Sequence, residues 1–307
     1  MISLKQIVYA LAVQKTLHFK RASEICNVSQ SALSTAITEF EKHLGIQVFE
    51  RTNKQVLVTT AGEAVLRKAQ RIKTEMDELT QMAAADKEPF TKPLSIGLIP
   101  TIGPYLLPKV LPALREQYPN IQLKVKEDQS HVLTEMVRAG DLDIAIMALP
   151  YPLEGLMTFE FWEEDFYVVT HKEQCNTAQT EITSHELELD QLMLLKDGHC
   201  LKEHALEACS MKANRQDQGF DSASLYTLIQ MVAGKLGTTL VPQMALDQLV
   251  TPQSELHAYH LNEPGPHRRL ALVIRPNYIR THEVMLLKAL FTEQLQLLSD
   301  EKSLGFK

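Results

Sequence analysis

Residues 19–52, "FKRASEICNVSQSALSTAITEFEKHLGIQVFERT", open with a short helical pattern, break at Asn27-Val28-Ser29 and resume as a longer one. Ser29 has the short oxygen-bearing side chain that caps a helix. The spacing therefore predicts one helix from about Phe19 to Cys26 and another from about Gln30 to His43. In the longer helix Leu33, Ile37, Phe40 and Leu44 recur at helical intervals and make an inner face. Gln30, Ser31, Ser34, Thr35 and Thr38 then point outward, beside Ser29 at the cap. Such short polar groups hydrogen-bond base edges and phosphates when a helix enters the major groove. A merely solvated face would carry the same residue types. The context separates the readings: a compact turn between two helices, the basic pair Lys20 and Arg21 before the second, and Arg51 and Lys54 after it.

Working outward, Leu4, Ile7, Val8, Leu11 and Ala12 place an apolar face on a first helix whose role is packing. Downstream, Gly45 ends the long helix. Val48-Phe49 and Val56-Leu57-Val58 then predict two short strands around Thr52-Asn53-Lys54, a wing. Thr60-Ala61-Gly62-Glu63 has the pattern of a capping box and predicts a new helix start. Along that helix Val65, Ala69, Ile72, Met76, Leu79 and Ala83 are spaced alternately by four and three, a heptad seam that implies a partner helix and hence a dimer. Asp86 to Pro93, with two prolines, reads as a hinge.

Composition bounds the rest. A chain of 307 residues implies two or more folding units. The net charge is −7, yet residues 1–60 carry seven Lys and Arg against four acids, so the acid excess lies downstream. That split suits a small module that meets phosphate, joined to a domain that does not. No run of eighteen apolar residues and no leader pattern is present, so the expectation is a cytoplasmic chain with no membrane partner. Four cysteines are too few for a disulfide scaffold of this length. Cys26 and Cys175 read as ordinary thiols.

From Leu94 the pattern changes to β-rich runs alternating with helices: Leu94 to Ile99, a helix from about Tyr105 to Gln117, Ile121 to Val125, a helix from about His131 to Ala139, and Ile144 to Ala148. A second set comprises Phe159 to Thr170, a helix from about Leu225 to Ala233, Thr239 to Pro242, and a return through Leu270 to Ile274 before a final helix. The alternation predicts parallel α/β packing in two subdomains joined by crossovers near 165 and 267. Ligands in such folds bind beyond the carboxyl ends of strands, where Thr101 and Ser130 fall.

The segment "LLKDGHCLKEHALEAC", residues 194–209, carries the chemistry. A cap at Asp197 or Gly198 would put Cys200 in the first turn of a helix. Unpaired N–H groups there favour thiolate, and Lys202 and His199 add to that field. Cys209 alone would read as a small core residue. If residues 200–209 form one helix, the two thiols lie on opposite faces with Cα atoms roughly 14 Å apart, whereas a disulfide needs them within about 7 Å. Pairing would then require the segment to unwind. His199, Cys200, His204 and Cys209 also offer a ligand set for zinc, but adjacent residues diverge on a helix and Cys209 faces away, so no metal or other cofactor is expected.

Residues 1–90 resemble the LysR-type transcriptional regulators through the stretch quoted first and through "TTAGE" at 59–63. Residues 1 to about 295 resemble the peroxide-sensing branch of that type. That resemblance runs through "LSIGLIPTIGPYLLP" (94–108), "LLKDGHCLKEHALEAC" and "MVAGKLGTTLVP" (231–242). It implies an all-α winged helix-turn-helix over 1–60, a dimerising linker helix over 61–85, a hinge over 86–92 and an α/β regulatory domain over 93–307. The regulatory domain would hold two subdomains of the periplasmic-binding-protein kind, I over 93–165 and 267–300 and II over 166–266. The resemblance further implies that Cys200 is the peroxidatic thiol and Cys209 its resolving partner. Thr101, Ser130, His131, Gly198 and His199 would bind or polarise hydrogen peroxide, with Arg268 as charged support. Thiolate attack on a peroxide needs hydroxyl or imidazole donors for the charge that develops on the departing oxygen. The implied partners are promoter DNA, RNA polymerase, a thiol–disulfide reductant such as glutaredoxin, and further copies of the chain, dimers pairing into a homotetramer. The implied role is a redox-switched activator of an oxidative-stress response and not an enzyme.

Two features depart from the branch, Ser130 where Thr is usual and Gly219 where His is familiar. Two rival readings stand beside it. One is a LysR-type regulator with a small-molecule inducer bound between the subdomains; the other is a thiol peroxidase bearing a DNA-binding head.

Overall fold

The computed structural model describes residues 1–51, 55–83, 88–174, 176, 178–196, 198, 200–209 and 224–305. The chain divides into two compact units, Met1–Ala85 and Asp86–Lys307.

The first unit comprises α1 (Leu4–Thr16), α2 (Phe19–Ile25), α3 (Gln30–Leu44), β1 (Phe49–Arg51), β2 (Val56–Val58) and α4 (Thr60–Ala83). Ser3 opens α1 with a reciprocal capping box to Gln6. Its inner face is Ile7, Ala10 and Val13, while Leu4 and Val8 are exposed. Of the expected face, Ile7 and Ala12 are buried, whereas Leu4 and Val8 are not. His18 caps α2, and Ser29 caps α3 by accepting from the Ala32 N–H at 3.2 Å. Leu33, Ile37 and Phe40 fill the core as their spacing requires. Gly45 closes α3 in the left-handed region at φ 71°, a conformation open to glycine at little cost. β1 and β2 pair antiparallel, Phe49 opposite Val58. The tip of this wing, residues 52–54, lies outside the described residues.

Thr59, one residue earlier than the expected Thr60, caps α4: its hydroxyl accepts from the Gly62 N–H at 2.9 Å. A side chain at Gly62 would collide with the Val48 carbonyl, since a Cβ there would sit 2.3 Å from its oxygen. Along α4, Leu66 and Ala69 pack into the head's core, whereas Ile72 and Leu79 are exposed. The seam therefore starts as head core, and farther along it Ile72 and Leu79 stand uncovered among the described residues.

The second unit holds β3 (Leu94–Leu98), α5 (Gly103–Gln117), β4 (Leu123–Glu127), α6 (Ser130–Ala139), β5 (Ile144–Leu149), β6 (Met157–Glu164), β7 (Phe166–His171), β8 (Glu181–Ile182), β9 (Leu192–Met193), α7 (Cys200–Ala208), α8 (Leu225–Ala233), β10 (Thr238–Pro242), α9 (Leu246–Leu249), β11 (Leu256–Leu261), β12 (Arg268–Ile274) and α10 (Thr281–Gly305). They form two five-stranded sheets, ordered β4-β3-β5-β12-β6 and β8-β11-β7-β10-β9. β3 runs parallel to β4 and β5, but β12 is antiparallel to β5 and β6, and β7 to β10 and β11. The packing is mixed, not purely parallel. The cause is that the chain passes twice between the sheets, so β12 must return to the first sheet in the opposite sense. β5, whose six residues Ile-Ala-Ile-Met-Ala-Leu are all buried, is central to that sheet.

The run from Phe159 to Thr170 is two strands, not one, broken at Asp165 where the chain first passes between sheets. The return passes through Pro266 and His267. β4 begins two residues later than the pattern suggested. The hinge read over 86–92 does not reach its far end: Phe90 is buried, donates its N–H to Glu283 at 3.0 Å and packs its ring against Tyr118. No described helix is long and apolar enough to cross a membrane.

Candidate functional site

On the head, α3 presents the face its sequence dictates. Ser29, Gln30, Ser31, Thr35 and Thr38 are exposed and Ser34 is half-buried, with Lys20 and Arg21 exposed on α2. Not all of these groups are equally free. Thr38 Oγ1 donates to the Ser34 carbonyl at 3.0 Å, and Ser29 and Ser31 share a hydrogen bond at 3.1 Å. Arg51 comes back from the wing to α3, donating to Ser34 Oγ at 2.9 Å while its guanidinium lies 4.2 Å over the Phe19 ring. The ring and hydroxyl hold a cation in place at the edge of the helix face. Lys54 lies outside the described residues.

In the regulatory domain Ile99, Pro100, Thr101, Gln129, Ser130, Gly198 and Cys200 line one narrow crevice. Three elements converge to make it. Thr101 follows β3 at its carboxyl end, Ser130 is the first residue of α6 and Cys200 the first residue of α7. The structure thus brings together Thr101, Ser130, Gly198 and Cys200. It does not bring in His131, which sits on the next α6 position, is exposed and is absent from the crevice wall. One step along a helix turns a side chain by about 100°, so Ser130 and its neighbour cannot both face the sulfur. His199, Asp197, Cys175 and Gly219 lie outside the described residues.

Cys200 is buried and its thiol free. Burial pushes the thiol up from its ordinary value, against the downward pull of the nearby Ser130 hydroxyl and the Arg268 guanidinium. Burial thus opposes the thiolate that the helix start was expected to favour. Among the described residues, Arg268 from β12 is a cation that acts on the sulfur. The Ser130 hydroxyl is itself buried and forms no hydrogen bond among the described residues, a donor close to the sulfur that has not closed on it.

Arg268 is completely buried. Its Nε donates to Glu164 Oε1 at 2.7 Å, and its other nitrogens reach Thr101 Oγ1 at 3.4 Å and the Thr101 carbonyl at 3.2 Å. Glu164 Oε2 in turn accepts from the Met244 N–H at 2.7 Å. Glu164 ends β6 and Arg268 begins β12, so this pair ties both crossovers to the crevice. Nothing in the sequence around Glu164 signals the partnership, which spans 104 residues.

α7 is helical from Cys200 through Ala208, and the Cys209 N–H donates to the Ala205 carbonyl at 3.2 Å. The condition set on the cysteine spacing is met, and the two thiols are held apart by the helix between them. Cys209 is buried too, and burial, helped by Glu263, pushes its thiol up to about 11. His204, one turn after Cys200, is buried with Nε2 2.8 Å from the Pro150 carbonyl, so Nε2 carries the proton and donates. Burial lowers its pKa to about 4, and Nδ1 has no partner among the described residues. His204 therefore serves α7 as a neutral donor.

Comparison with known proteins agrees with this architecture. Residues 4–63 match the model of the bacterial regulatory helix-turn-helix proteins of the lysR family, and residues 87–296 match the LysR substrate binding domain. The chain is similar to the HTH-type transcriptional regulator EstR of Acinetobacter baylyi, 35% identical over 89% of this chain and 90% of the relative. It is equally similar to a probable hydrogen peroxide-inducible genes activator of Streptomyces viridosporus, 35% identical over 96% and 95%. Among solved structures it resembles a full-length OxyR from Pseudomonas aeruginosa carrying a cysteine-to-aspartate change, with a TM-score of 0.81, 32% identity and coverage of 95% and 98%. The chain belongs to the LysR family of DNA-binding helix-turn-helix regulators.

Proposed function

We propose that this regulator senses hydrogen peroxide through Cys200 and Cys209 and passes their oxidation state to its DNA-binding heads. The observation that carries the reading is a buried thiol at the first turn of α7, in one crevice with the hydroxyls of Thr101 and Ser130 and with Arg268 behind them. Likeness to a hydrogen peroxide-inducible genes activator and to OxyR supports it.

The steps follow from the groups present. Peroxide takes its place between Thr101, Ser130 and the Gly198 backbone. The Cys200 thiolate attacks one oxygen, the O–O bond breaks, and the other oxygen leaves as hydroxide, which takes up a proton to become water. Ser130 and Arg268 stabilise the charge as it moves from sulfur to oxygen. The resulting sulfenic acid is attacked by Cys209 sulfur, a second water leaves and a disulfide remains. Because nine residues of helix put the two Cα atoms roughly 14 Å apart, that second step requires α7 to unwind, and the change of shape is the signal. A dithiol reductant of the glutaredoxin kind returns both thiols.

The heads work in pairs through α4, and two dimers assemble as a homotetramer in the cytoplasm. Reorientation alters the half-site spacing read by Gln30, Ser31, Ser34, Thr35 and Thr38, with Lys20, Arg21, Arg51 and Lys54 on phosphates. Contact with RNA polymerase changes accordingly, and genes of an oxidative-stress response are activated.

Brief peroxide treatment followed by peptide mapping is expected to give a Cys200–Cys209 linkage. Its absence, together with an undiminished peroxide response of Cys200→Ser in cells, would overturn the reading. A second reading draws on a larger hollow of about 330 Å³ bordered by Pro104, Tyr105, Glu127, Tyr226 and Gln248. A small-molecule inducer held there would shift DNA affinity equally in the wild type and in Cys200→Ser.

A further inference from the structure

The crevice has one wall that the proposed chemistry leaves without a role. Ile99, Thr101, Ser130 and Cys200 are buried and fixed, and Pro100 is rigid by its ring. Gly198, at φ +93°, presents only its Cα. Gln129 differs from all of these. It is half-buried, and its carboxamide lies against Gly198: a Cβ built on Gly198 would sit 3.0 Å from Oε1 and 3.2 Å from Nε2. Its backbone is fixed as the N-cap of α6, with its N–H donated to Asp128 Oδ1 at 2.9 Å. The carboxamide itself makes no hydrogen bond among the described residues. Beside the sulfur, the Ser130 hydroxyl is buried without a hydrogen-bond partner among the described residues, and the half-buried Gln129 amide lines the same crevice.

An amide offers donors and an acceptor. A small ligand that also donates and accepts satisfies both, whereas an apolar one leaves them unmatched at a cost. Hydrogen peroxide has two O–H groups and little bulk. An alkyl hydroperoxide replaces one O–H by carbon and needs room where the carboxamide stands. We propose that Gln129 is the movable wall of the crevice and sets its preference for hydrogen peroxide over alkyl hydroperoxides, its amide holding the peroxide and its bulk excluding an alkyl group. This rests on Cys200 being the peroxide-reactive thiol. Gln129 takes no covalent part in the oxidation.

The test compares rates of Cys200 thiol loss in the reduced full-length protein, using hydrogen peroxide and tert-butyl hydroperoxide. Gln129→Ala is expected to lower the preference for hydrogen peroxide by about tenfold or more, mainly by speeding the bulky oxidant. Gln129→Leu fills the same space without hydrogen bonds. It is expected to keep the bulky oxidant out while slowing hydrogen peroxide by about tenfold. General loosening of the fold would instead speed both oxidants in both variants, and that result overturns the proposal. So does a Gln129→Ala preference within about twofold of wild type. A wild-type protein whose Cys200 is untouched by either oxidant defeats the peroxide reading beneath it, an outcome distinct from both.

Discussion

Cys200 sits under opposed influences: burial favours the thiol, Ser130 and Arg268 favour the thiolate, and the balance decides how fast it meets an oxidant. Arg268 cannot be tested alone, since its removal strands a buried Glu164. Arg268→Met is expected to cost about 3 to 5 kcal/mol of stability in urea unfolding, and the double variant Arg268→Met/Glu164→Gln distinctly less. In the folded double variant the Cys200 thiol should titrate at higher pH than in wild type, read from the pH dependence of its alkylation. An unshifted profile would remove Arg268 from the electrostatics of the sulfur. At this scale the sequence was partly legible. Thr101, Ser130 and Arg268 came from family likeness and Cys200 from its place at a helix start. Glu164 and Gln129 were silent, because a partner 104 residues away and a side chain laid over a glycine leave no local pattern. His131 misled for the opposite reason, being next to a site residue in sequence but turned away from the site in space.

Among the elements, α7 bears most directly on the two thiols. Its nine residues separate the thiols, and His204 fastens its middle to Pro150. The His204 pKa of about 4 lies below the ordinary 6.5, so the neutral ring belongs to the helix. As pH falls from 6.5 toward 4, the unwound segment takes a proton that the helix refuses, and acid favours unwinding; above 7 the linkage vanishes. Stability of the reduced protein should fall between pH 6.5 and 5, by at most about 1.4 kcal/mol per pH unit from this group. His204→Gln should flatten that slope in urea titrations. An identical slope in both proteins would rule this histidine out. The sequence announced α7 only conditionally, and it hid β11 and the break at Asp165. Alternation marks a strand but does not show where the strand leaves one sheet for another.

For the whole molecule, the division into two units was legible, because helix periodicity in the first part and strand–helix alternation from Leu94 are properties of the chain itself. The order of the sheets was not, since strand neighbours are set by tertiary pairing. Among the described residues of α4, Ile72 and Leu79 are large apolar groups left uncovered. Ile72→Arg/Leu79→Arg should shift sedimentation toward smaller species and weaken binding to a two-half-site promoter fragment, leaving the fold of each head intact by circular dichroism. Unchanged sedimentation would mean that the copies pair elsewhere.

The Glu164–Arg268 pair also bears on how this protein can change over generations. Each residue is sealed from water and each neutralises the other, so a mutation at either position alone leaves a stranded charge, while a compensated exchange requires two events at once. Descendants are therefore expected to keep both residues or replace both. Because Arg268 also touches Thr101, lineages that abandon the pair would have to rebuild the sulfur's surroundings in the same step.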